Sequence, residues 1–284
     1  MLEEKSVSLL IGIVTYNHCR LIGPCLDSIT RSNIDGRIRI KVVVVDNCSS
    51  DGSAELVRNL YPLVDFIQQD KRRSFAENNN VAFGSYSCKY FLMLNPDTVL
   101  SKRSLAVLVN FMDNHPSCGI CGPKLVFPDG SLQYSCRRFP TAWSTILRRT
   151  PIRLVVPNGR RGARHLMVSV SHERGMEVDW MLGACLLLRR AAITGTKVLD
   201  EGFPLYCEDI DLCRRLGRAG WKIYYVPSTT VVHHHMARSD SKLLCRESLL
   251  HTLSMLHFVK KHYLLPFRDA DLHPGVKKIQ PKVA

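Results

Sequence analysis

The segment "LYCEDIDLCRRL", residues 205–216, places Glu208, Asp209 and Asp211 within four positions of a 284-residue chain whose formal net charge is +14. Carboxylates gathered in a basic protein have two physical uses. They complement the free N–H groups and dipole of a helix start, at roughly 0.3–1 kcal/mol each, or they handle protons or cations in a site. Helix electrostatics accounts for one or two of the three. On a helix, Asp209 and Asp211 point about 200° apart at 3.6 residues per turn, so they cannot share one task. Asp211 has cationic neighbours for local pairing in Arg214 and Arg215.

Two other groups carry oxygen or nitrogen ligands. In "NPDT", Asn95 and Asp97 flank a turn-fixing Pro96, and their oxygens suit a hard divalent cation together with ligand phosphates. The same residues also compose an ordinary turn. His233, His234 and His235 follow the strand-like "TTVV". Adjacent strand residues point to opposite faces, so the three cannot all bind one ion. Neither G-x-G-x-x-G nor G-x-x-x-x-G-K-[ST] occurs, which removes the dinucleotide fingerprint and the P-loop.

The elements that must position these groups alternate. "SLLIGIV" is followed by an amphipathic run from Leu21 to Thr30, "RIKVVVV" by a helix from Ala54 to Leu60, and "VDFIQ" by a helix starting near Phe75. "YFLML" and a helix from Lys102 to Asn114 follow. Such alternation predicts an α/β fold, with parallel strands joined by crossover helices and a sheet covered on both faces. Ligands of open α/β sheets bind beyond the carboxyl ends of the strands. There the sequence offers Thr15, Tyr16 and Asn17, which can hydrogen-bond a base or ribose. It also offers Asp46, an acceptor for an imide N–H or hydroxyl, ahead of Asp51, Gly52 and Ser53, which have the composition of a turn and helix cap.

From about Cys118 to Glu177 the strands shorten and Pro and Gly punctuate. "VDWMLGACLLLRR", the acidic helix start, "WKIYYVP", "TTVVHHH" and an amphipathic helix from Arg246 to Tyr263 then follow. The parse is one domain over residues 1–265, with a ligand-binding half at 1–115, a catalytic half at 116–240 and a C-terminal helix at 241–265. Residues 266–284 form a basic tail.

A hydrophobic fraction of 45% and a charged fraction of 23% suit a folded globular protein. The net charge predicts an anionic partner. It concentrates in residues 148–164, with six arginines and no acid, a surface for solvent, phosphates or lipid head groups. A nucleic-acid role has the charge but lacks a recognition helix or an aromatic-interleaved basic surface, so no nucleic-acid partner is expected. The acidic start "MLEEK" is unlike a signal peptide. Eleven scattered cysteines read as reduced thiols of a cytoplasmic protein, with Cys118 and Cys121 in the core.

The stretches "VTYN", "VVVVDNCSSDGS", "SFAENNNVA", "LMLNPDT", "VDWMLGACLLLRR", "GFPLYCEDIDLCRRLGRAGWKIYYVP" and "VVHHH" run in order from residue 14 to 235. Together they resemble glycosyltransferase family 2, inverting enzymes with the GT-A fold, and within it a rhamnosyltransferase-like branch. The resemblance implies a dTDP-L-rhamnose or UDP-sugar donor and a glycan or polyprenyl-diphosphate-linked acceptor. It also implies a divalent cation, Mg2+ or Mn2+, and a place at the inner face of the cell membrane, with homodimerisation open. A non-catalytic sugar-nucleotide-binding subunit is the rival expectation. Thr15, Tyr16, Asn17, Asp46 and Asn47 would line the base and ribose pocket, and Asn79 falls on a family asparagine. Asn95 and Asp97 correspond to the metal motif, which His233 completes. Asp209 matches the general base, with Glu208 orienting base or acceptor. Trp180 and Gly183 would sit against the donor sugar or acceptor, with a place in the core the equal alternative for Trp180. The terminal helix, with Lys260, Lys261 and His262 after Leu253, Leu256 and Phe258, would dock on the domain or lie on a membrane. Three positions depart from the family pattern: Ser74 and Ala82 replace glycines, and Asn95 replaces the first aspartate of the metal pair.

Overall fold

A computed structural model describes residues 7–32, 36, 38–139, 165–234 and 246–264. The Arg-rich segment from 148 to 164, His235 and the basic tail lie outside them. Four strands, β1 (Val7–Thr15), β2 (Ile40–Asp46), β3 (Asp65–Gln68) and β4 (Cys88–Leu94), pair in parallel in the order β3-β2-β1-β4. Their connections carry α1 (Cys19–Thr30), α2 (Ser53–Leu60) and α3 (Phe75–Gly84). Leu9, Leu10, Ile11 and Ile13 of β1 are all fully buried, which explains the unbroken apolar runs: both faces of this part of the sheet are covered.

The second half extends the same sheet. It supplies β5 (Thr98–Leu100), β6 (Cys118–Val126), β8 (Met176–Glu177), β10 (Cys185–Arg189) and β11 (Lys222–His233), with α4 (Ser104–Asn114) between β5 and β6. The order continues β4-β10-β6-β11-β5, β10 running antiparallel between β4 and β6. β7 (Cys136–Arg137) and β9 (Trp180–Met181) form a separate two-stranded ladder. Two last helices are α5 (Glu208–Arg218) and α6 (Arg246–Val259), the latter continued by a π-helical turn over Lys260–Leu264.

Two departures from the sequence expectation have clear causes. The two expected strands over "KIYYVP" and "TTVVH" are one strand, because Pro227 falls within the register shift between Val226 and Thr230, where no ladder N–H is required of it. Ser74 stands in place of glycine because it caps α3: its hydroxyl accepts from the Glu77 N–H at 3.2 Å, and the Glu77 carboxylate accepts from the Ser74 N–H at 2.7 Å. A cap of this kind contributes about 1 kcal/mol. Ala82 is accommodated by Gly12 of β1, where an added Cβ would lie 2.9 Å from the Ala82 methyl and 2.7 Å from the Phe91 ring.

Candidate active site

β5 was not anticipated, and it assembles half of the site. The Asn95-Pro96-Asp97 turn joins β4 to β5, and β5 pairs antiparallel with β11 so that His233 lies opposite Thr98. The His234 N–H closes the ladder on the Asp97 carbonyl at 2.9 Å. Side chains 136 positions apart in the chain thereby meet: His233 Nε2 is 3.3 Å from Asp97 Oδ1, and both residues are buried. His233 Nδ1 bonds Gln133 Oε1 at 2.8 Å. An amide oxygen can only accept, so Nδ1 is the donor to Gln133 and Nε2 is the ring nitrogen that faces Asp97. His234 is exposed, as strand alternation requires.

The other half comes from the start of α5. Tyr206 and Cys207 are both left-handed, with φ of 64° and 72°, a conformation that costs non-glycine residues of order 1–3 kcal/mol each. This turn sends the two carboxyl groups of Glu208 and Asp209 into the cleft. One cavity is lined by Asn95, Asp97 and His233 together with Glu208 and Asp209, with Phe75, Leu182, Gly183, Ala184, Leu205 and Tyr206 completing its wall. Asp209 Oδ2 accepts from the Gly183 N–H at 3.0 Å and Oδ1 from the Ile210 N–H at 2.8 Å. Burial raises the Asp209 pKa, and those two N–H groups oppose the rise. Burial, reinforced by the neighbouring Asp209 charge, pushes Glu208 up to about 8. Glu208 Oε1 is buried without a hydrogen-bond partner.

Asp97 and His233 fit a divalent cation. Two cis ligands at about 2.1 Å from one ion lie about 3.0 Å apart, close to the 3.3 Å observed, and Gln133 fixes the ring as an outer-shell partner does. Among the described residues no group of three or more His, Cys, Asp or Glu side chains is gathered to hold a metal. The Asn95 amide, solvent and ligand phosphates would complete the coordination.

The remaining sequence candidates divide. Thr15 and Asp46 are register partners at the carboxyl ends of β1 and β2, fully buried, and Thr15 Oγ1 and Asp46 Oδ1 have no hydrogen-bond partner. Asn17, left-handed at φ 56°, accepts from the Ser50 N–H at 2.9 Å, while Arg72 stacks on the Tyr16 ring at 3.8 Å. These groups lie at adjoining strand ends and outside the cavity wall. Asn47 exchanges two hydrogen bonds with the Arg73 backbone, and the Asn79 amide donates to the Phe75 carbonyl within α3. Both act on the protein's own backbone.

Of the two readings open for Trp180, the structure has the core one: it is buried, its indole N–H donating to the Arg138 carbonyl at 3.1 Å. Gly183 does allow a close approach, but to Asp209, whose Cβ would be 3.5 Å from an added methyl. Asp51 caps differently from expectation. One carboxylate oxygen accepts from the first N–H of α1, at Cys19, and the other from the Ser53 N–H at the start of α2. Sequence reading missed Gln133, which no local pattern marks. It also missed Asn80, whose amide binds the Val198 and Leu199 N–H groups and the Leu199 carbonyl and so ties α3 to the loop leading to α5.

Comparison with known proteins agrees with this architecture. L-rhamnosyltransferase acting on N-acetylglucosaminyl-diphospho-decaprenol, from Mycobacterium tuberculosis, is 30% identical over 211 residues, covering 69% of this chain and 66% of that protein. Rhamnosyltransferase WbbL of Escherichia coli is 27% identical over 275 residues, covering 92% of this chain and 96% of that one. The solved mannosyltransferase PcManGT from Pyrobaculum calidifontis, in complex with GDP-Man and Mn2+, superposes with a TM-score of 0.56 at 18% identity, over 91% of this chain and 72% of that one. The profile described as Glycosyl transferase family 2 matches residues 10–176. With strand ends, acidic helix start and cavity arranged as above, the chain belongs to glycosyl transferase family 2.

Proposed function

We propose that this chain is an inverting glycosyltransferase that moves L-rhamnose from dTDP-L-rhamnose to a hydroxyl of a polyprenyl-diphosphate-linked or cell-surface polysaccharide acceptor. The observation that carries the reading is a cavity whose wall includes Asp209 together with Asp97 and His233. The relatives named as rhamnosyltransferases support the donor sugar.

Asp209 takes the proton of the acceptor hydroxyl as its oxygen bonds the anomeric carbon. The bond from that carbon to the nucleoside diphosphate breaks on the opposite face, and the configuration inverts. The Gly183 N–H holds the Asp209 carboxylate in one orientation. Glu208, protonated at neutral pH, adds no second negative charge beside the base. Asp46 and Thr15 offer their unpartnered oxygens to the imide and sugar of the nucleoside. Asn17 and Asn47 hold the loops around them through their bonds to the Ser50 and Arg73 backbone. Asp97, His233 and Asn95 would hold a divalent cation, Mg2+ or Mn2+, which would supply Lewis-acid stabilisation of the leaving diphosphate.

The test is a donor panel, dTDP-rhamnose against UDP-hexoses, with and without Mn2+ or Mg2+, scored by nucleoside diphosphate release. dTDP-rhamnose with metal is expected to lead, and Asp209→Asn to lower turnover by roughly 10³-fold or more with donor affinity nearly unchanged. Preference for a UDP-hexose overturns the donor assignment. A main effect of Asp209→Asn on donor affinity removes Asp209 from the base position.

A further inference from the structure

The C-terminal helix α6 carries two opposed stripes. Ser254, Phe258 and His262, spaced four apart, turn inward and are buried. Ser254 Oγ accepts from the Leu205 N–H at 3.2 Å, Phe258 is fully buried in the core, and His262 bonds Asp211 of α5 at 2.8 Å. Lys261 is also turned in, onto Asp211 and Asp200. On the opposite side, at helical spacing, stand Leu249, Leu253 and Leu256, 62%, 46% and 58% exposed, with Leu264 at 72% beyond the π turn. Lys260 is exposed on that same stripe. A row of four exposed leucines marks a surface meant for a partner.

We infer that this leucine row seats the protein on an anionic lipid bilayer, leaving the catalytic cavity about one helix diameter above the head groups. Charge selects the occupant. Lys260 lies within the row, so a second copy packed there about a twofold axis would bring two ammonium groups into an apolar seam, an unfavourable burial. An anionic head group would neutralise it. The chain's +14 charge favours the same partner. No helix among the described residues is long and apolar enough to cross a membrane, so the contact is interfacial, of the kind amphipathic helices make. The inward stripe holds Leu205, which with Tyr206 lines the cavity, and a helix is about 10–12 Å across. That geometry sets the cavity about one helix diameter above the head groups, on the side where a lipid-linked acceptor presents its sugar. The bilayer contact itself does not depend on the proposed donor or acceptor.

The full chain is sedimented with vesicles of phosphatidylcholine alone or of phosphatidylcholine with phosphatidylglycerol. Its oligomeric state without lipid is read by sedimentation equilibrium. Binding is expected only with phosphatidylglycerol and is expected to fall with added salt. Leu253→Glu/Leu256→Glu is expected to weaken it roughly 10-fold or more, and Lys260→Glu about fivefold. Both variants should keep the wild-type circular dichroism melt and the wild-type donor turnover in detergent-free buffer, which separates loss of docking from loss of the catalytic reading. Wild-type protein that stays in the supernatant with both vesicle types overturns the inference. A lipid-independent dimer that Leu253→Glu/Leu256→Glu converts to monomer also overturns it, in favour of a second copy.

Discussion

Burial raises the pKa of both adjacent carboxyl groups at the start of α5, pushing Glu208 up to about 8 and Asp209 in the same direction, against the opposing pull of the Gly183 and Ile210 N–H groups. The unfolded chain releases the Glu208 proton near pH 4.5, so folding takes up a proton between that pH and about 8, and stability falls as pH rises through this window. Glu208→Gln keeps the neutral side chain and removes the titration. Its denaturation midpoint is expected to vary less over that range, to match wild type at the acid end and to exceed it above pH 8. Its turnover at pH 7 should remain within a few-fold of wild type. A variant that loses stability equally at every pH would show that Glu208 is ionised in the folded protein. Gln133→Leu tests the other wall of the cavity. With Nδ1 no longer held, the His233 ring can turn, and Mn2+ affinity measured by electron paramagnetic resonance should drop roughly 10- to 100-fold, the usual effect of losing an outer-shell partner. Asp97 and Asp209 were legible as chemistry because their residue types and places after a strand or at a helix start are local signals. Gln133 was not, since its role exists only through the distant pairing of β5 with β11.

The helix that carries Asp209 is fixed by its other face. Asp211, fully buried, accepts from Arg215 at 2.7 Å, Lys261 at 2.8 Å and His262 at 2.8 Å. Arg218 Nη1 approaches His262 Nδ1 at 3.1 Å, and a guanidinium can only donate, so His262 is neutral and its Nε2–H points at Asp211. Burial works to raise the Asp211 pKa, and the His262 hydrogen bond with the Arg215 and Lys261 charges overcomes it, holding the carboxyl well below its ordinary value. Its stabilising effect is present above pH 3.8 and is lost as pH falls below that. Asp211→Ala leaves cations facing an apolar gap. Because Arg215 and Lys261 are partly exposed, the loss is discounted from a fully buried pair to about 2–3 kcal/mol, readable in urea denaturation. Turnover of the folded variant should fall as well, since α5 and the Cys207 turn are then held less firmly. A stability change below 0.5 kcal/mol, about the size of a neutral surface substitution, would show that the network is idle. The α5 start and the pairing of Asp211 with Arg215 were readable from helical spacing. The clasp by α6 was not, because helix periodicity states which residues share a face and not which helix that face meets. Strand and helix order in the first half was readable for the opposite reason: each apolar run there is a complete strand, whereas β5 has three residues and β11 hides a bulge at a proline.

Across the molecule, the two halves expected from sequence share both cores. On one face Leu10, Val43 and Phe91 pack in the same cluster as Leu212, Tyr225 and Phe258; on the other, Ile11, Val44 and Leu92 pack with Leu125, Leu187 and Val231. β10 couples them along the sheet by pairing with β4 on one edge and β6 on the other. Neither half can therefore unfold without exposing apolar surface of the other, and one cooperative transition is the expected result. The cysteines report on it without added labels. Of the ten described, Cys19 and Cys48 are partly exposed, while Cys25, Cys88, Cys118, Cys121, Cys136, Cys185, Cys207 and Cys213 are buried across both clusters and both halves. Burial pushes Cys25, Cys136 and Cys213 up to about 12 and Cys88 to about 11, leaving almost no thiolate for alkylation at neutral pH. Iodoacetamide followed by peptide mass mapping should modify Cys19 and Cys48 first. The eight buried thiols should then react together across a urea titration, with the midpoint set by fluorescence. Early reaction of Cys118, Cys121, Cys185 and Cys213 while Cys25 and Cys88 stay protected would show instead that the second half opens by itself. The shared clusters could then not be the main source of its stability, and the tie at β10 would have to be weaker than its hydrogen-bonded register implies.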